Sequence, residues 1–388
     1  MTGAPGEFQE IGHSGGQVTF RIVTIDGRRS YQVSWQSSRP VPAALFAVYA
    51  LPQGPVVDDI QLGGIGTPWN PPPIPGCFPV FISSDSEGKF GYQCPRCRSY
   101  WRARGAARVC PYCGIRAARH QFLSDAQRSY VAQYCARLNQ ALAQIEDGEH
   151  VIDMDAVADA VGTASEKPPF YYAEESQQNK YICEACGEFN DILGRFGFCS
   201  TCGTRNDIQE LEGKTIPALR GRINAGGPYD GCLREIASAF DSFVAQYVKQ
   251  LAQNIPMRPS RKARLEKMRF HNLETVVQEL KAAFDIDICH GLKDTEVAFA
   301  NLMFHRRHVY EHNGGEADEK YIADSGDVSV RPKQALHETQ QTVHQFTNLI
   351  VAMARNIHRC FHEIFPPEQA AIDYHIERTR RMKANGEI

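Results

Sequence analysis

The strongest constraint on the fold is a cysteine pattern that occurs twice. Both copies follow the spacing C-x2-C-x12-C-x2-C, with Cys94, Cys97, Cys110 and Cys113 in the first copy and Cys183, Cys186, Cys199 and Cys202 in the second. Each C-x2-C pair puts two thiolates on one tight turn, and the intervening arm is long enough for a hairpin that completes a tetrahedron. Four thiolates leave no coordination position open. The pattern therefore predicts two structural Zn²⁺ ions per chain, held by zinc ribbons at residues 91–120 and 179–214.

Disulfide bonds are the alternative use of these cysteines. The chain shows no basic segment followed by an apolar one at Met1, and no apolar stretch long enough for a membrane span. We therefore expect a cytoplasmic protein in a reducing compartment, where thiols stay free to bind metal. Five cysteines lie outside the pattern, and those in or beside apolar helical stripes, Cys135, Cys232 and Cys360, are expected to be small core residues, with a thiol nucleophile among the five as the alternative. The five are Cys77, Cys135, Cys232, Cys289 and Cys360.

The two copies differ in charge. Residues 89–128 carry nine Lys or Arg residues and one acidic residue, whereas residues 180–214 carry four basic and six acidic residues. Arginines interleaved with aromatic side chains suit phosphate contacts and stacking on unpaired bases. The first copy is therefore a candidate nucleic-acid interface, or alternatively a solubilising face, while the second is expected to be structural or to dock a protein. The candidate nucleic-acid-binding residues are Arg98, Arg102, Arg104, Tyr100 and Trp101.

The net charge of −3 means that any nucleic-acid contact must be local. No glycine-rich phosphate loop leads into a helix, so a nucleotide hydrolase is not indicated. The sequence before the first ribbon has the patterning of β-structure. Residues 17–25 and 30–35 alternate around an Asp26-Gly27 turn, residues 43–51 and 78–83 fit buried strands, and residues 63–76 form a loop rich in Gly and Pro. Residues 1–90 are thus expected to form a small antiparallel sheet or sandwich that docks or senses a partner.

Helical periodicity dominates the rest of the chain. Ser124 opens a helical connector (residues 121–178) with a Ser-x-x-Gln capping pattern, a second short helix is expected at 153–161, and Pro168-Pro169 ends it. Apolar stripes at 229–251, 273–284 and 336–364, together with a helix at 295–313, predict an up-down α-helical bundle within residues 215–388. The charged tail from Arg378 is expected to fray. The fold class is therefore multidomain α+β.

One run near the end of the chain carries residues suited to chemistry. On a helical plot of residues 295–313, Phe299, Met303, Arg306 and Val309 share the face that a bundle would bury. The polar face opposite holds Asn301, His305, His308 and His312, and Arg307 lies on its flank. Imidazoles exchange protons near neutral pH and a guanidinium holds phosphate oxygens, so this face suits acid-base work on a phosphodiester. A solvated helix face, or one metal ion on the three histidines, are the alternatives.

The run Arg307-His308-x3-His312-Asn313-Gly314-Gly315-x2-Asp318-x-Lys320-Tyr321 resembles the motif helix and loop of the HEPN superfamily, with the likeness extending over residues 225–366. The resemblance implies a homodimer that cuts RNA without a metal, and a role in toxin or antiviral systems under a regulatory protein partner. It assigns Arg307 and His312 as catalytic and His308 as their polar partner. Glu311 stands at a spacer position where such relatives usually have an apolar residue, so its carboxylate is expected to slow cleavage.

These observations favour an enzyme, a metal-independent RNA endonuclease that acts as a dimer. One His312 would take the proton from the ribose 2′-hydroxyl, Arg307 would stabilise the phosphorane, and a group of the other subunit would protonate the leaving oxygen. The alternative is a non-catalytic dimeric adaptor whose ribbons bind nucleic acid or a protein.

Overall fold

The computed structural model describes residues 8–12, 14–62, 69–143, 146–160, 173–268 and 270–386. It divides the chain into two compact units. The mixed unit comprises residues 1–203 together with 368–388, and the helical unit comprises residues 204–367. The α+β class is confirmed, because antiparallel sheets occupy the N-terminal part and helices the C-terminal half. None of the helices in the described ranges is long and apolar enough to cross a membrane.

The strands of the mixed unit are β1 (Glu10–Gly12), β2 (Gln17–Ile25), β3 (Arg28–Gln36), β4 (Leu45–Ala50), β5 (Val56–Ile60), β6 (Phe78–Ser83), β7 (Phe90–Gln93), β8 (Tyr100–Ala103), β9 (Gly148–Asp153), β10 (Ala173–Glu175), β11 (Asn179–Ile182) and β12 (Phe189–Ile192). They pair antiparallel in the orders β3-β2-β9, β5-β4-β6, β11-β12-β8-β7 and β1-β10. The first two sheets contribute to one apolar core with the third.

The β2–β3 hairpin shows why sequence patterning worked in this region. Asp26 and Gly27 both have positive φ, 49° and 70°, which is the turn geometry that matches the twist of two-residue hairpins. β2 follows the predicted bounds and β6 is the predicted buried strand. β5 was not predicted, because its sequence VVDDI lacks the alternation of a half-buried strand. Residues 63–68 of the predicted loop and the break at Pro168-Pro169 lie outside the described residues.

The helices are α1 (Asp125–Leu142), α2 (Met154–Ala160), α3 (Asp207–Glu210), α4 (Ile216–Asn224), α5 (Tyr229–Asn254), α6 (Pro259–Glu266), α7 (Leu273–Phe284), α8 (Asp294–His312), α9 (Glu319–Ser325), α10 (Gln340–Ile364) and α11 (Gln369–Ala384). The predicted capping box at Ser124 is confirmed, because its side chain accepts from the Gln127 amide and the Gln127 side chain accepts from the Ser124 amide. α1 then packs Val131, Tyr134 and Leu138 into the core of the mixed unit.

α11 belongs to the mixed unit rather than to the helices that precede it in sequence. The Glu368 amide donates to the Cys202 carbonyl at 2.7 Å, and Ile372 packs against the mixed core. Residues 215–388 were expected to form one domain. They do not, because the chain returns to the mixed unit at Glu368. The predicted fraying from Arg378 also differs from the structure, in which α11 stays helical to Ala384.

In the helical unit, α5 packs against α8 and α10. Aromatic edges join these helices: the Phe304 ring lies 6.0 Å from Phe240 of α5 and 5.5 Å from Phe346 of α10. α5, α7, α8 and α10 were predicted from their apolar stripes, whereas α3, α4, α6 and α9 were not. α10 begins later than its stripe suggested, because Thr339 caps it and Leu336 packs instead beside Val309 and Tyr321.

Candidate metal centres and the histidine cleft

The sulfur atoms of each cysteine pattern come together. The Sγ–Sγ distances are 3.7 Å for Cys94–Cys113 and for Cys97–Cys110. In the second pattern they are 3.8 Å for Cys183–Cys202 and 3.6 Å for Cys186–Cys199. A tetrahedral ion with sulfur at about 2.3 Å has an edge of about 3.8 Å, so each group is close enough and correctly spaced to hold a metal ion.

All four C-x2-C turns share one backbone geometry. The residue after the second cysteine is left-handed at each turn, and its amide donates to the carbonyl of the first cysteine at 2.8–3.0 Å. Glycine fills this position at Gly114, Gly187 and Gly203, with φ between 69° and 79°. At the remaining turn, which is the first in sequence, Arg98 fills this position with φ 61°, although a residue with a side chain is disfavoured in the left-handed region. The turns are thus preorganised by the backbone.

The two cysteine modules, residues 90–114 and 179–203, pack as a pair related by a local twofold. Equivalent positions are 89 residues apart, so Val109 corresponds to Phe198 and Pro111 to Ser200. The Val109 amide donates to the Ser200 carbonyl at 2.9 Å, and the Phe198 amide donates to the Pro111 carbonyl at 2.9 Å. Each bond is the symmetry equivalent of the other. The modules therefore form an internal dimer within one chain.

Arg102 and Asp191 lie at the centre of this pair. They occupy equivalent positions, and they face each other where β8 pairs with β12. The fully buried guanidinium of Arg102 donates to Asp191 at 2.6 Å, to Asp85 at 2.6 Å and to Glu87 at 2.9 Å. Burial raises the pKa of Asp85 and of Asp191, and the hydrogen bonds from Arg102 oppose that rise. This network fixes the two modules to each other.

The burial of Arg102 corrects the predicted nucleic-acid interface. Neither Arg102 nor Trp101 is exposed, and the indole stacks on Tyr92 at 5.7 Å and meets Phe122 edge-on at 5.2 Å. The prediction that these two side chains contact nucleic acid is wrong, because both belong to the core. The position of β8 explains the burial of these two side chains in part. β8 pairs with β7 on one side and with β12 on the other, and a strand paired on both sides inside a core has little exposed surface.

Other basic side chains of the first module do face solvent. Arg98 and Arg104 are exposed as expected, with Arg98 paired to Asp125, and Tyr100 is partly buried. Arg96 and Arg108 are exposed as well, although they were not singled out. The described surface of this module is therefore rich in guanidinium groups, and of the five predicted residues Arg98 and Arg104 are the exposed ones.

The cysteines outside the two patterns are suited to packing. Cys77, Cys135, Cys232 and Cys360 are buried, and Cys289 is half-buried. Burial raises the pKa of Cys135 to about 12, and that of Cys289 to about 11. A thiol with so high a pKa is protonated at neutral pH, so neither is an activated nucleophile.

In the helical unit, α8 presents the predicted motif and ends where the two glycines stand. Gly314 and Gly315 have φ of 60° and 85°, and the Gly315 amide donates to the Val309 carbonyl at 3.2 Å. The chain then turns into α9, whose first turn is capped by Asp318. The glycines are needed here because only they reach such φ values readily. The turn brings α9 beside α8.

Arg306 ties this turn to the helix, as its place on the buried face predicts. Its guanidinium donates to Asp327 at 2.9 Å and to Glu338 at 3.1 Å, and the Tyr321 hydroxyl also donates to Asp327 at 2.6 Å. Burial would raise the pKa of Asp327, but the hydrogen bonds from Ser329, Tyr321 and Arg306 outweigh it and lower the pKa to about 2. Arg306 is thus structural.

Arg307 lies on the flank of α8 that turns toward α5. Its Nε atom and the Oδ1 atom of Asp241 are buried, and neither has a hydrogen-bond partner in the part of the chain that the structure describes. Burial raises the pKa of Asp241 to about 6, and the positive charge of Arg307 limits the rise. Sequence patterning missed Asp241, because a single polar residue beside the apolar stripe of α5 has no distinguishing pattern.

A cleft of about 560 Å³ lies beside α8. Its lining includes His305 and His308 of α8, His271 from the residues just before α7, and Lys320 of α9. Three acidic residues, Glu274, Asp318 and Asp324, line it as well. Arg307 and His312 are not part of the lining. His312 is exposed at the end of α8, and its ring lies 4.5 Å from that of His308. The structure therefore brings His308 and His312 together, with Arg307 beside them on the helix flank.

The cationic surroundings act on His308. Its side chain is exposed, but partial desolvation by its neighbours lowers its pKa, and the positive charges of His312, Arg307, His271 and Lys320 lower that pKa further. A lowered pKa favours the neutral form of the His308 imidazole, which is the form that can accept a proton. His271 was missed in sequence because it lies far from the motif, on a different element. Only the turn after α8 and the start of α7 make it a neighbour.

A metal ion on His305, His308 and His312 is not favoured by the geometry. Within the described ranges, the close groups of possible ligands are the two cysteine sets and Asp58, Asp59 and His120, and the three histidines of α8 do not form such a group. In the third group His120 Nδ1 lies 3.4 Å from Asp59 Oδ2 and 3.9 Å from Asp58 Oδ1. These are ion-pair distances on a partly exposed surface.

Comparisons of the chain with protein-family models, curated proteins and solved structures find no match. The resemblance to the HEPN superfamily therefore rests on the motif residues of α8 and the loop that follows.

Proposed function

We propose that the protein is a metal-independent RNA endonuclease whose reacting groups lie on α8. The observation that carries this proposal is the neighbourhood of His308, a solvent-accessible imidazole that lines a cleft and whose pKa is lowered by partial desolvation and by the charges of four neighbouring groups. A neutral imidazole is suited to accept a proton from a hydroxyl next to a bound phosphate, and Lys320 offers a positive charge in a cleft that is also lined by the carboxylates Glu274, Asp318 and Asp324. The motif resemblance points to the same residues.

In this mechanism His308 takes the proton from the ribose 2′-hydroxyl, which differs from the role first assigned to His312. The ring of His312 lies 4.5 Å from that of His308, and a positive charge on it lowers the pKa of His308. Arg307, on the flank of the same helix, balances the negative charge that develops on the phosphorane. The homodimer and a role in toxin or antiviral defence remain predictions from the resemblance.

The two cysteine groups fit Zn²⁺, since four thiolates at tetrahedral spacing are a preferred donor set for that ion. Four protein ligands leave no position for water or substrate, so a bound zinc would stabilise the turns and take no part in cleavage. The proposed reaction uses residues of the helical unit alone.

The experiment is incubation of the purified protein with total RNA and mapping of the new ends. Cleavage should leave a 2′,3′-cyclic phosphate and a 5′-hydroxyl, and it should persist in a chelator while the fold is retained. Arg307→Ala, His308→Ala and His312→Ala should each lower the rate by about 10²–10⁴-fold. Glu311→Val should leave it equal or faster, and His337→Ala, an exposed histidine elsewhere in the unit, should leave it unchanged.

The pH profile tests the role of His308 separately. Because Lys320 lowers the pKa of His308, Lys320→Met should raise that pKa and move the acidic limb of the rate profile to higher pH. An unshifted limb would remove His308 from the base role. A folded protein that binds RNA and cuts none would favour the non-catalytic adaptor instead.

A further inference from the structure

The groups of α8 serve only one side of a reacting phosphate. In an in-line displacement the attacking 2′-oxygen and the leaving 5′-oxygen lie on opposite sides of phosphorus, so the proton acceptor and the proton donor must approach from different directions. His308 and His312 are one helical turn apart on the same helix, with rings 4.5 Å apart. His305 is also on α8. A second direction requires another element.

His271 supplies that direction within the same chain. It precedes Asn272, the N-cap of α7, and it lines the same cleft as His308 from that element. Its charge also acts on His308 through space, which places the two imidazoles in one electrostatic neighbourhood. The lining also contains Lys320 and the carboxylates Glu274, Asp318 and Asp324, and a carboxylic acid has ordinarily given up its proton at neutral pH. A lysine ammonium ordinarily releases its proton only at strongly alkaline pH, whereas an imidazole exchanges protons near neutrality and is the better proton donor.

We infer that His271 is the general acid of the cleavage reaction, so that one chain holds both proton-transfer groups. This inference rests on the proposed ribonuclease function and deepens it.

The step is balanced without a further reagent. The 2′-hydroxyl loses its proton to His308, and the 2′-oxygen forms a bond to phosphorus. The bond from phosphorus to the 5′-oxygen breaks, and protonated His271 gives its proton to that oxygen. The products are a 2′,3′-cyclic phosphate and a 5′-hydroxyl, and exchange with water restores the protonation states of the two imidazoles.

A substrate with a sulfur leaving group tests this assignment. A thiolate leaves without being protonated, so an oligonucleotide with 5′-sulfur at the bond that the wild type cleaves removes the need for an acid. On ordinary RNA, His271→Ala should be slower by about 10²–10⁴-fold. On the sulfur substrate the same variant should fall within a few-fold of the wild type. His308→Ala should stay slow on both substrates, because the 2′-hydroxyl still needs a base.

The outcomes separate this inference from the proposed function. If the wild type cuts RNA and His271→Ala cuts it equally well, His271 is not the acid and the nuclease proposal stands. If His271→Ala is slow on both substrates, its role is structural or elsewhere in the mechanism, and the inference is overturned. Thermal melting of His271→Ala and of a second variant, His271→Gln, reports their folding. If the wild type cuts nothing, both proposals fail together.

Mixing variants tests whether the pair acts within one chain. His271→Ala and His308→Ala, inactive separately, should stay inactive when mixed, because no chain then holds both groups. Recovery of activity on mixing would show that the two imidazoles meet across two copies, and would overturn the assignment to one chain.

Discussion

The two cysteine modules have the same spacing and the same turns but different surfaces. Arg102 of the first and Asp191 of the second occupy one equivalent position, and there they have become each other's buried partner. Outside that centre the first module exposes arginines, and the second carries more acidic than basic residues. The comparison teaches that the metal-binding frame depends on the cysteines and the turn backbone, whereas the role of each module depends on the residues between them.

The largest expected effect comes from removing one thiolate of the second module. Cys199→Ser should abolish metal binding there, and should also speed metal release from the first module. The reason is that the Ser200 carbonyl accepts the amides of Arg108 and Val109, so an unfolded second turn frees the first. Cys97→Ser, at the exposed cysteine of the first module, should remove only its own ion. Elemental analysis and the rate of release to a chelator measure both.

Binding by structural zinc is worth about 10–16 kcal/mol in small domains, so neither substitution should be silent. Two ions in Cys199→Ser would contradict the assignment of that site, and equal chelator rates would contradict the coupling between modules.

The centre of the pair should be the next most sensitive place. Arg102→Met leaves Asp85 and Asp191 buried without their cation, and it should lower the free energy of unfolding by about 3–5 kcal/mol. Arg104→Met is the matched control two residues along, because Arg104 is exposed and the expected change is within about 0.5 kcal/mol. Denaturant unfolding measures both. Equal stabilities would mean that the buried network does not hold the modules together.

The third expected difference is in RNA binding. Replacing Arg96, Arg98 and Arg104 by Glu should weaken binding of single-stranded RNA, and should flatten the log-log salt dependence by about 0.7 for each phosphate that is no longer neutralised. Lys180→Glu with Arg195→Glu, exposed positions of the second module, should change little. Fluorescence anisotropy at several salt concentrations gives both slopes. Equal weakening by the two sets would end the functional distinction between the modules.

The smallest effect should come from the turn positions. Gly187→Ala puts a side chain on a left-handed backbone where its Cβ would lie 2.3 Å from the His375 ring, and it should destabilise the protein by about 1–2 kcal/mol. Arg98→Gly relieves the same backbone strain in the first module, which should raise the free energy of unfolding by up to about 1 kcal/mol. Loss of the ion pair with Asp125 reduces that gain. Thermal melting compares them, and opposite signs are the expected result.

Local sequence rules predicted much of the fold. The cysteine spacing, the Asp26-Gly27 turn and the Ser124 cap each depend on residues within a short stretch of chain, and the structure places them as expected. Burial was harder to predict, because Arg102 and Trp101 have the residue types of a nucleic-acid surface but lie between strands from distant parts of the chain.

The candidate site was predicted only in part for the same reason. The residues of α8 could be placed from helical periodicity, but the cleft needs His271 and Lys320, and the neighbour of Arg307 is Asp241 on α5. These neighbourhoods depend on how helices pack, and a single sequence without related sequences holds no pattern for them.

The return of α11 to the mixed unit affects how the chain is made. Because the Cys202 carbonyl accepts the Glu368 amide, the polypeptide leaves and re-enters this unit at one point, and the helical unit is an insertion between adjacent positions. During synthesis the second cysteine module must wait, with its Gly187 turn uncovered, until all of residues 204–367 have been translated and His375 can pack against it. A ribosome that stalls within the insertion would leave that turn exposed to solvent.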